Sequence, residues 1–211
     1  CKPGMLSVYS YCPVTFERDL PLPSGYTFAV AASGVTAEKT RAALAQYNRA
    51  SLRSRAVVDA WREATGRQEA HIAAILAATG GDVDRIRQVL SNTKRDDFAP
   101  TELLSRFDQF VAESAQIIPA ACDALAAGDI TEFGRQVDRS QHAAETLLDN
   151  QVPQTVYLAE AARREGAVAA SSFGAGFGGA VWAMVSKDSK DTFLKIWAKG
   201  YRTVWPEAAG R

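Results

Sequence analysis

Several features that would narrow the function of this chain are scarce in its sequence. It has only three cysteines, Cys1, Cys12 and Cys122, an odd and sparse set that is more typical of reduced cytoplasmic thiols than of a disulfide framework. Its 24 Lys and Arg residues balance 24 Asp and Glu residues, which gives no reason to expect nucleic acid or an anionic membrane as a partner. No apolar run approaches the roughly twenty residues that span a bilayer. We therefore expect a cytoplasmic protein without a nucleic-acid or membrane partner.

Residue types that usually hold metals are scarce as well. The two histidines, His71 and His142, lie in predicted helices and have no second His or Cys at ligand spacing. Cys122 lies within an apolar helix, where a small core residue is more typical than a nucleophile. The sequence therefore predicts no metal site, and it singles out no catalytic residue.

The first residue and the length also bear on domain organisation. The chain has 211 residues, of which 47% are hydrophobic, and this is enough to bury a sizeable core. It begins at Cys1 rather than at Met and carries no signal-peptide or basic targeting pattern. These observations predict that the chain is one part of a longer protein.

Glycine is concentrated in one segment, Ser171 to Gly179, which lies between two apolar runs. Gly174, Gly176, Gly178 and Gly179 allow the backbone positive φ angles and a close approach to another surface. Successive N–H groups in such a turn can bind phosphate or another anion. A simple hairpin turn between two buried strands demands glycine for conformational reasons alone, so both interpretations stay open.

Two well-known phosphate motifs do not fit this segment. Gly174, Gly176 and Gly179 satisfy G-x-G-x-x-G, but the dinucleotide fingerprint requires a following helix, and the run 180–185 reads as a strand. A Walker A loop requires a Lys followed by Ser or Thr after the glycines, and none is present. The sequence therefore excludes a dinucleotide fold and a P-loop.

The hydrophobic periodicity predicts strands at both ends of the chain and helices between them. Strands are predicted at 5–11, 14–18, 26–32, 167–170 and 180–185. Helices are predicted at 36–65, 68–78, 82–90, 100–127, 130–148, 153–164 and 187–201. This order indicates an α+β fold in which the terminal strands pair in one sheet.

Several short motifs, taken in chain order, carry a resemblance to a known family. The glycine turn is the most specific of them, and Gly128-Asp129 followed by Phe133-Gly134-Arg135 in a helical hairpin is the next. The others are Ser33-Gly34-Val35 after a strand, Tyr47-Asn48-Arg49 on a helix, Ser140 and Pro153. Over nearly all of its length the chain resembles the carboxyl-terminal half of the galactokinases, which belong to the GHMP kinase superfamily.

This resemblance implies a fold, a domain division and a function. The fold would be a ferredoxin-like GHMP kinase C-terminal domain with inserted helices over residues 24–211, preceded by the last strands of the N-terminal domain in residues 1–23. The protein would use ATP and Mg²⁺ to phosphorylate the anomeric hydroxyl of galactose or a related sugar. Tyr47 would contact the sugar, and Gly174, Gly176, Gly178 and Gly179 would support the phosphate site. The main phosphate loop and the catalytic aspartate would lie upstream of Cys1, so the chain would need its own missing N-terminal domain and would be inactive alone.

The chain departs from the galactokinase pattern at two places. Galactokinases usually have a basic residue, an aliphatic residue and Thr before the glycines, where this chain has Ser171, Ser172 and Phe173. They often have Ser-His on the preceding helix, where this chain has Ser140-Gln141. The alternative function is therefore a catalytically inactive, kinase-like sugar sensor or interaction module.

Overall fold

The computed structural model describes residues 2–36 and 41–210, excepting the side chains of residues 41–44. The strands are β1 (Met5–Ser10), β2 (Thr15–Pro21), β3 (Tyr26–Ala32), β4 (Ala169–Ser172) and β5 (Ala180–Ser186). The helices are α1 (Arg41–Thr65), α2 (Ile72–Ala78), α3 (Val83–Ser91), α4 (Pro100–Val111), α5 (Ile118–Ala127), α6 (Ile130–Ala143), α7 (Pro153–Arg164), α8 (Lys190–Val204) and α9 (Pro206–Ala209). Two π-helical segments follow α4 and α6, at Ala112–Ile117 and Ala144–Leu148. The α+β prediction is confirmed; the predicted first turn of α1 at 37–40 lies outside the described residues.

The described residues form two compact units. The first takes the described parts of Cys1–Ala37, Gln116–His142 and Gln151–Arg211. The second takes those of Glu38–Ala115 and Ala143–Asn150. The first unit therefore holds all five strands, and the predicted division at residue 23 stays a prediction.

A three-stranded antiparallel sheet with the order β3-β5-β4 organises the first unit. Strand β5 alternates its side chains between two cores. Val181, Ala183 and Val185 pack with α7 and α8, whereas Met184 packs in a second core on the opposite face. Burial on both faces explains why β5 reads as a continuous apolar run.

Strands β1 and β2 form a sheet of their own, so the prediction that all the terminal strands pair in one sheet is wrong. Among the described residues they pair with each other and with no other strand, from Met5 opposite Pro21 to Ser10 opposite Thr15. Leu20 is buried with Cys122 and Leu125 of α5. The hairpin thus joins the first unit through side-chain packing rather than through a backbone ladder.

The second unit is a helical core built from α1 to α4. Trp61 and Phe107 are fully buried at its centre, and the Trp61 indole N–H donates to the Glu69 carboxylate at 2.9 Å. The predicted helix at 68–78 begins only at Ile72, because the His71 ring nitrogen Nδ1 accepts from the Ala74 amide and caps the helix there. The residues before it are thereby excluded from the helix.

The long predicted helix at 100–127 is interrupted in its middle. Pro119 has no N–H and its ring crowds the carbonyl of Ala115, and the backbone widens into the π-helical segment Ala112–Ile117 just before it. By length and composition alone the whole stretch Pro100–Ala127 could cross a membrane, although it contains no uninterrupted apolar run of that length. Core helices meet the same criterion, and Leu103, Phe107 and Leu125 of this stretch lie in protein cores.

Candidate functional site

The glycine segment forms the connection between β4 and β5. Five of its residues from 174 to 179 have positive φ: Gly174 (+67°), Gly176 (+83°), Phe177 (+60°), Gly178 (+124°) and Gly179 (+86°). Such a run of left-handed conformations is accessible mainly to glycine, which explains the composition of the segment. Phe173, Gly174 and Ala175 are exposed at one end of the turn, whereas Gly176 and Gly178 are buried.

The end of the turn that leads into β5 is docked on the residues that follow β3. The Gly179 amide donates to the Val35 carbonyl at 2.9 Å, and the Ser33 amide donates to the Gly179 carbonyl at 2.8 Å. The Ser33 carbonyl also accepts the Tyr201 hydroxyl, and burial raises the pKa of Tyr201. The Gly179 amide is therefore committed to protein, and so is the Phe173 amide, which donates to the Ala180 carbonyl at 2.9 Å. The exposed surface of Gly174 and Ala175 is a part of the turn that a ligand can reach.

Gln141 of α6 holds the other end of the turn. Its side-chain oxygen Oε1 accepts from the Ser171 hydroxyl at 2.9 Å and from the Ser172 amide at 3.0 Å. Because β4 is an edge strand, the Ser172 amide has no partner strand on that side, and the largely buried Gln141 side chain satisfies it. The two departures from the galactokinase pattern, at 141 and at 171–172, are thus joined by hydrogen bonds.

Replacing Gln141 by alanine is expected to loosen the strand end that leads into the glycine turn. The substitution removes two acceptor contacts and leaves the Ser172 amide without its side-chain partner, for a cost of about 1–3 kcal/mol. Urea denaturation measures this loss, and hydrogen exchange at Ser172 should accelerate. In a double-mutant cycle with Ser171→Ala the two losses should be less than additive; full additivity would contradict direct coupling.

The motif from Gly128 to Arg135 is explained by structure. Gly128 ends α5 with φ of +73°, and the Asp129 carboxylate accepts from the Glu132 amide at 2.9 Å at the start of α6. Arg135 forms an ion pair with Glu132. The hydrogen bond from Arg135, followed by a smaller contribution from the Gln136 side chain, lowers the pKa of the Glu132 carboxyl to about 2. Gly134 faces the Val168 carbonyl so closely that a side chain would not fit. This motif therefore shapes the helical hairpin.

Tyr47, the predicted sugar contact, lies on α1 in the second unit, where its side chain is 52% exposed. Its neighbours Asn48 and Arg49 line a cavity of about 470 Å³ that the sequence did not predict. Arg49 bonds Glu102 and lies 4.7 Å from the centre of the Phe98 ring. The Tyr47 side chain thus lies on the surface of the helical unit.

Mg²⁺ does not fit the residues that the structure describes. Within these ranges, 2–36 and 41–210, no group of three His, Cys, Asp or Glu side chains is placed to hold a metal ion. Mg²⁺ prefers oxygen ligands such as carboxylates. A Mg²⁺ ion that took part in the chemistry would therefore need ligands from outside these residues.

One part of the chain matches a known protein family. Residues 121–203 match the family model "GHMP kinases C terminal". The stretch covers the helical hairpin, β4, the glycine turn, β5 and most of α8. This stretch of the chain is therefore similar to the C-terminal domain of the GHMP kinases.

The fold of the chain is also similar to that of solved kinase structures. The fold matches the galactokinase of Lactococcus lactis, solved in complex with galactose, with a TM-score of 0.76 and 20% identity over 95% of this chain and 48% of that one. A mevalonate kinase from L. major, solved with R-mevalonate, matches with a TM-score of 0.49 and 16% identity over 97% of this chain and 46% of that one. No curated protein sequence matches the chain. The chain has the fold of the carboxyl-terminal half of a galactokinase and spans about half the length of these structures.

Proposed function

We propose that this chain is the carboxyl-terminal part of a cytoplasmic sugar kinase that uses ATP and Mg²⁺ to phosphorylate the anomeric hydroxyl of galactose or a related sugar. The observation that carries the proposal is the glycine turn, which lies in the stretch similar to the C-terminal domain of the GHMP kinases and has five positive φ angles. Both ends of this turn are held by hydrogen bonds to protein, and Phe173, Gly174 and Ala175 are exposed. That arrangement suits a backbone wall beside a transferred phosphoryl group.

The chain's own residues would act in this reaction by positioning. Phosphoryl transfer depends mainly on alignment and on neutralising the charge of the phosphoryl oxygens. Gln141 and Val35 hold the two ends of the turn, so Gly174 and Ala175 keep a fixed place at its exposed side. Tyr47 would offer the hydroxyl of its exposed side chain to the sugar. Bound Mg²⁺ would supply neutralisation of phosphate charge, with ligands from outside this chain.

The 211-residue chain by itself is expected to release no ADP when it is given galactose, ATP and Mg²⁺. The physical reason is that a supporting wall lacks the phosphate cradle, the metal ligands and the group that orients the acceptor hydroxyl. A coupled ADP-release assay measures this, with heat-denatured chain as the background. Galactose-dependent turnover by the chain alone would contradict the prediction that activity requires a further domain.

The substrate is tested in a longer protein that contains this chain. Galactose-dependent ADP release is expected there, and Tyr47→Phe should raise KM for galactose more than it lowers kcat. Turnover without any effect at Tyr47 would remove that residue from the sugar site. Galactose binding without turnover would replace the kinase proposal by the alternative, a catalytically inactive sugar sensor.

A further inference from the structure

Strand β3 lies at one edge of the three-stranded sheet, and alternate residues of the strand turn their backbone groups away from β5. The Ser33 amide donates to the Gly179 carbonyl at 2.8 Å, one position beyond the end of the β3–β5 ladder. Hydrogen-bonded positions alternate along an antiparallel ladder, so every second residue before Ser33 faces β5. The N–H and C=O groups of Phe28, Val30 and Ala32 therefore point to the free edge of the sheet.

These three residues leave the edge open. Within the ranges 2–36 and 41–210, the backbone groups of Phe28, Val30 and Ala32 have no hydrogen-bond partner. Phe28 is 36% exposed, Val30 is 55% exposed, and Ala32 is exposed as well. The Tyr26 amide donates to the Pro23 carbonyl at 3.0 Å, so the open stretch begins at Phe28.

The edge at β3 also lacks the features that usually protect a strand edge. Natural proteins protect such edges with charged side chains, proline or a β-bulge. Residues 20–37 contain no charged residue, β3 has no proline, and its pairing with β5 runs over seven residues without a bulge. At the opposite edge, β4 has only four residues, and Gln141 accepts from the Ser172 amide. The edge at β3 is therefore the side of this sheet to which a further strand can pair.

We propose that β3 pairs with β3 of a second copy of this chain, antiparallel and across a two-fold axis at Val30. Phe28 would then lie opposite Ala32 of the other copy, and Val30 opposite Val30. Each opposed pair would exchange two N–H···O hydrogen bonds, so every open backbone group finds a partner. A second copy fits this edge because residues 20–37 carry no charge, and like charges therefore do not meet when the strand pairs with itself.

The side chains of the three open residues support the same pairing. They lie on one face of the sheet, because side chains alternate along a strand. Directly opposed side chains have Cβ atoms about 4.5–5.5 Å apart, so the two exposed Val30 side chains would contact each other. The Phe28 ring packs edge-on against Trp182 at 5.5 Å between centroids, and it would cover Ala32 of the other copy. The pairing uses the one free side of β3, so it closes as a dimer, and it does not depend on the proposed kinase function.

Sedimentation of the full chain over micromolar to millimolar concentrations tests the proposal. The wild-type chain is expected to show a monomer–dimer equilibrium. Val30→Lys should weaken the dimer by at least about tenfold, because two lysines would face each other across the axis. Val14→Lys is the matched control, since Val14 is 66% exposed in the turn between β1 and β2, and this variant should dimerise like wild type.

Three results of this experiment would overturn the proposal. The first is a wild-type chain that stays monomeric at all concentrations, and the second is assembly beyond a dimer. The third is an equal effect of Val30→Lys and Val14→Lys, which would mean that the copies do not associate through β3.

Hydrogen exchange of the wild-type chain keeps the test decisive if a variant folds poorly. The amides of Phe28, Val30 and Ala32 should be protected at high protein concentration and should exchange quickly after dilution. The amides of Ala29 and Ala31 face β5 and should stay protected at both concentrations. Fast exchange of the three edge amides at every concentration would contradict the dimer. Their protection at every concentration would mean that another part of the same chain covers the edge, and it would contradict the dimer equally.

Discussion

Alanine at position 134 is expected to destabilise the first unit by about 1–2 kcal/mol or more, although alanine is the better helix former. In an exposed helix interior Gly→Ala gains about 1 kcal/mol. At Gly134 of α6, however, the new Cβ would lie 2.0 Å from the Val168 carbonyl oxygen and 3.2 Å from its carbon. Val168 cannot yield easily, because its amide donates to the Met184 carbonyl at 2.9 Å. Overpacking of about 1–3 kcal/mol or more therefore outweighs the gain.

Gly200→Ala provides the matched control for this prediction. Gly200 also lies inside a helix, α8, but the nearest atom to its added Cβ is the Tyr157 hydroxyl oxygen at 3.5 Å, an ordinary contact. This variant should be as stable as wild type or gain up to about 1 kcal/mol. Urea unfolding midpoints of the two variants give the comparison. If Gly134→Ala were as stable as Gly200→Ala, the close approach of α6 to the start of β4 would be wrong.

The elements that were predicted well from the sequence are those whose own residues show the pattern of a strand or a helix. Strand β5 is β-branched and apolar, and the long helical stretch from Pro100 shows an apolar face, so neither depends on distant partners. Pro119 is an equally local signal for an irregular helix, yet the π-helical segment before it was not predicted. The start of α2 was misplaced because a histidine cap at His71 is less typical than the usual Ser, Thr, Asp or Asn.

The arrangement of the site depends on contacts that periodicity does not encode. Glycine content predicted a turn before β5, but not that Gly179 bonds to Val35, which lies more than a hundred residues earlier. The link from Gln141 to Ser172 crosses 31 residues, and in the sequence the two positions are separate departures from a family pattern. The prediction that all the terminal strands pair in one sheet was wrong for the same reason, because β1 and β2 form a separate hairpin that packs on α5.

Replacing Gly178 by alanine is expected to undock the glycine turn, at a cost of about 3 kcal/mol or more. The φ of +124° at Gly178 lies far from the left-handed region near +57° that other residues can occupy. Its new Cβ would also lie 2.5 Å from the Val35 carbonyl oxygen, the same oxygen that accepts the Gly179 amide. Relieving the clash therefore pulls Val35 away from the hydrogen bond that fixes the turn.

Gly174→Ala separates the docking contact from the backbone strain. Gly174 has φ of +67°, and nothing lies within 4 Å of its added Cβ, so this variant should lose only about 1–2 kcal/mol. The reduced entropy of the unfolded chain, about 0.4–1 kcal/mol, is common to both variants and cancels in their difference. Urea denaturation should place Gly178→Ala below Gly174→Ala, and hydrogen exchange at the Gly179 amide should accelerate only in Gly178→Ala. Equal stability of the two variants would mean that the turn is held by its own conformation and not by Val35.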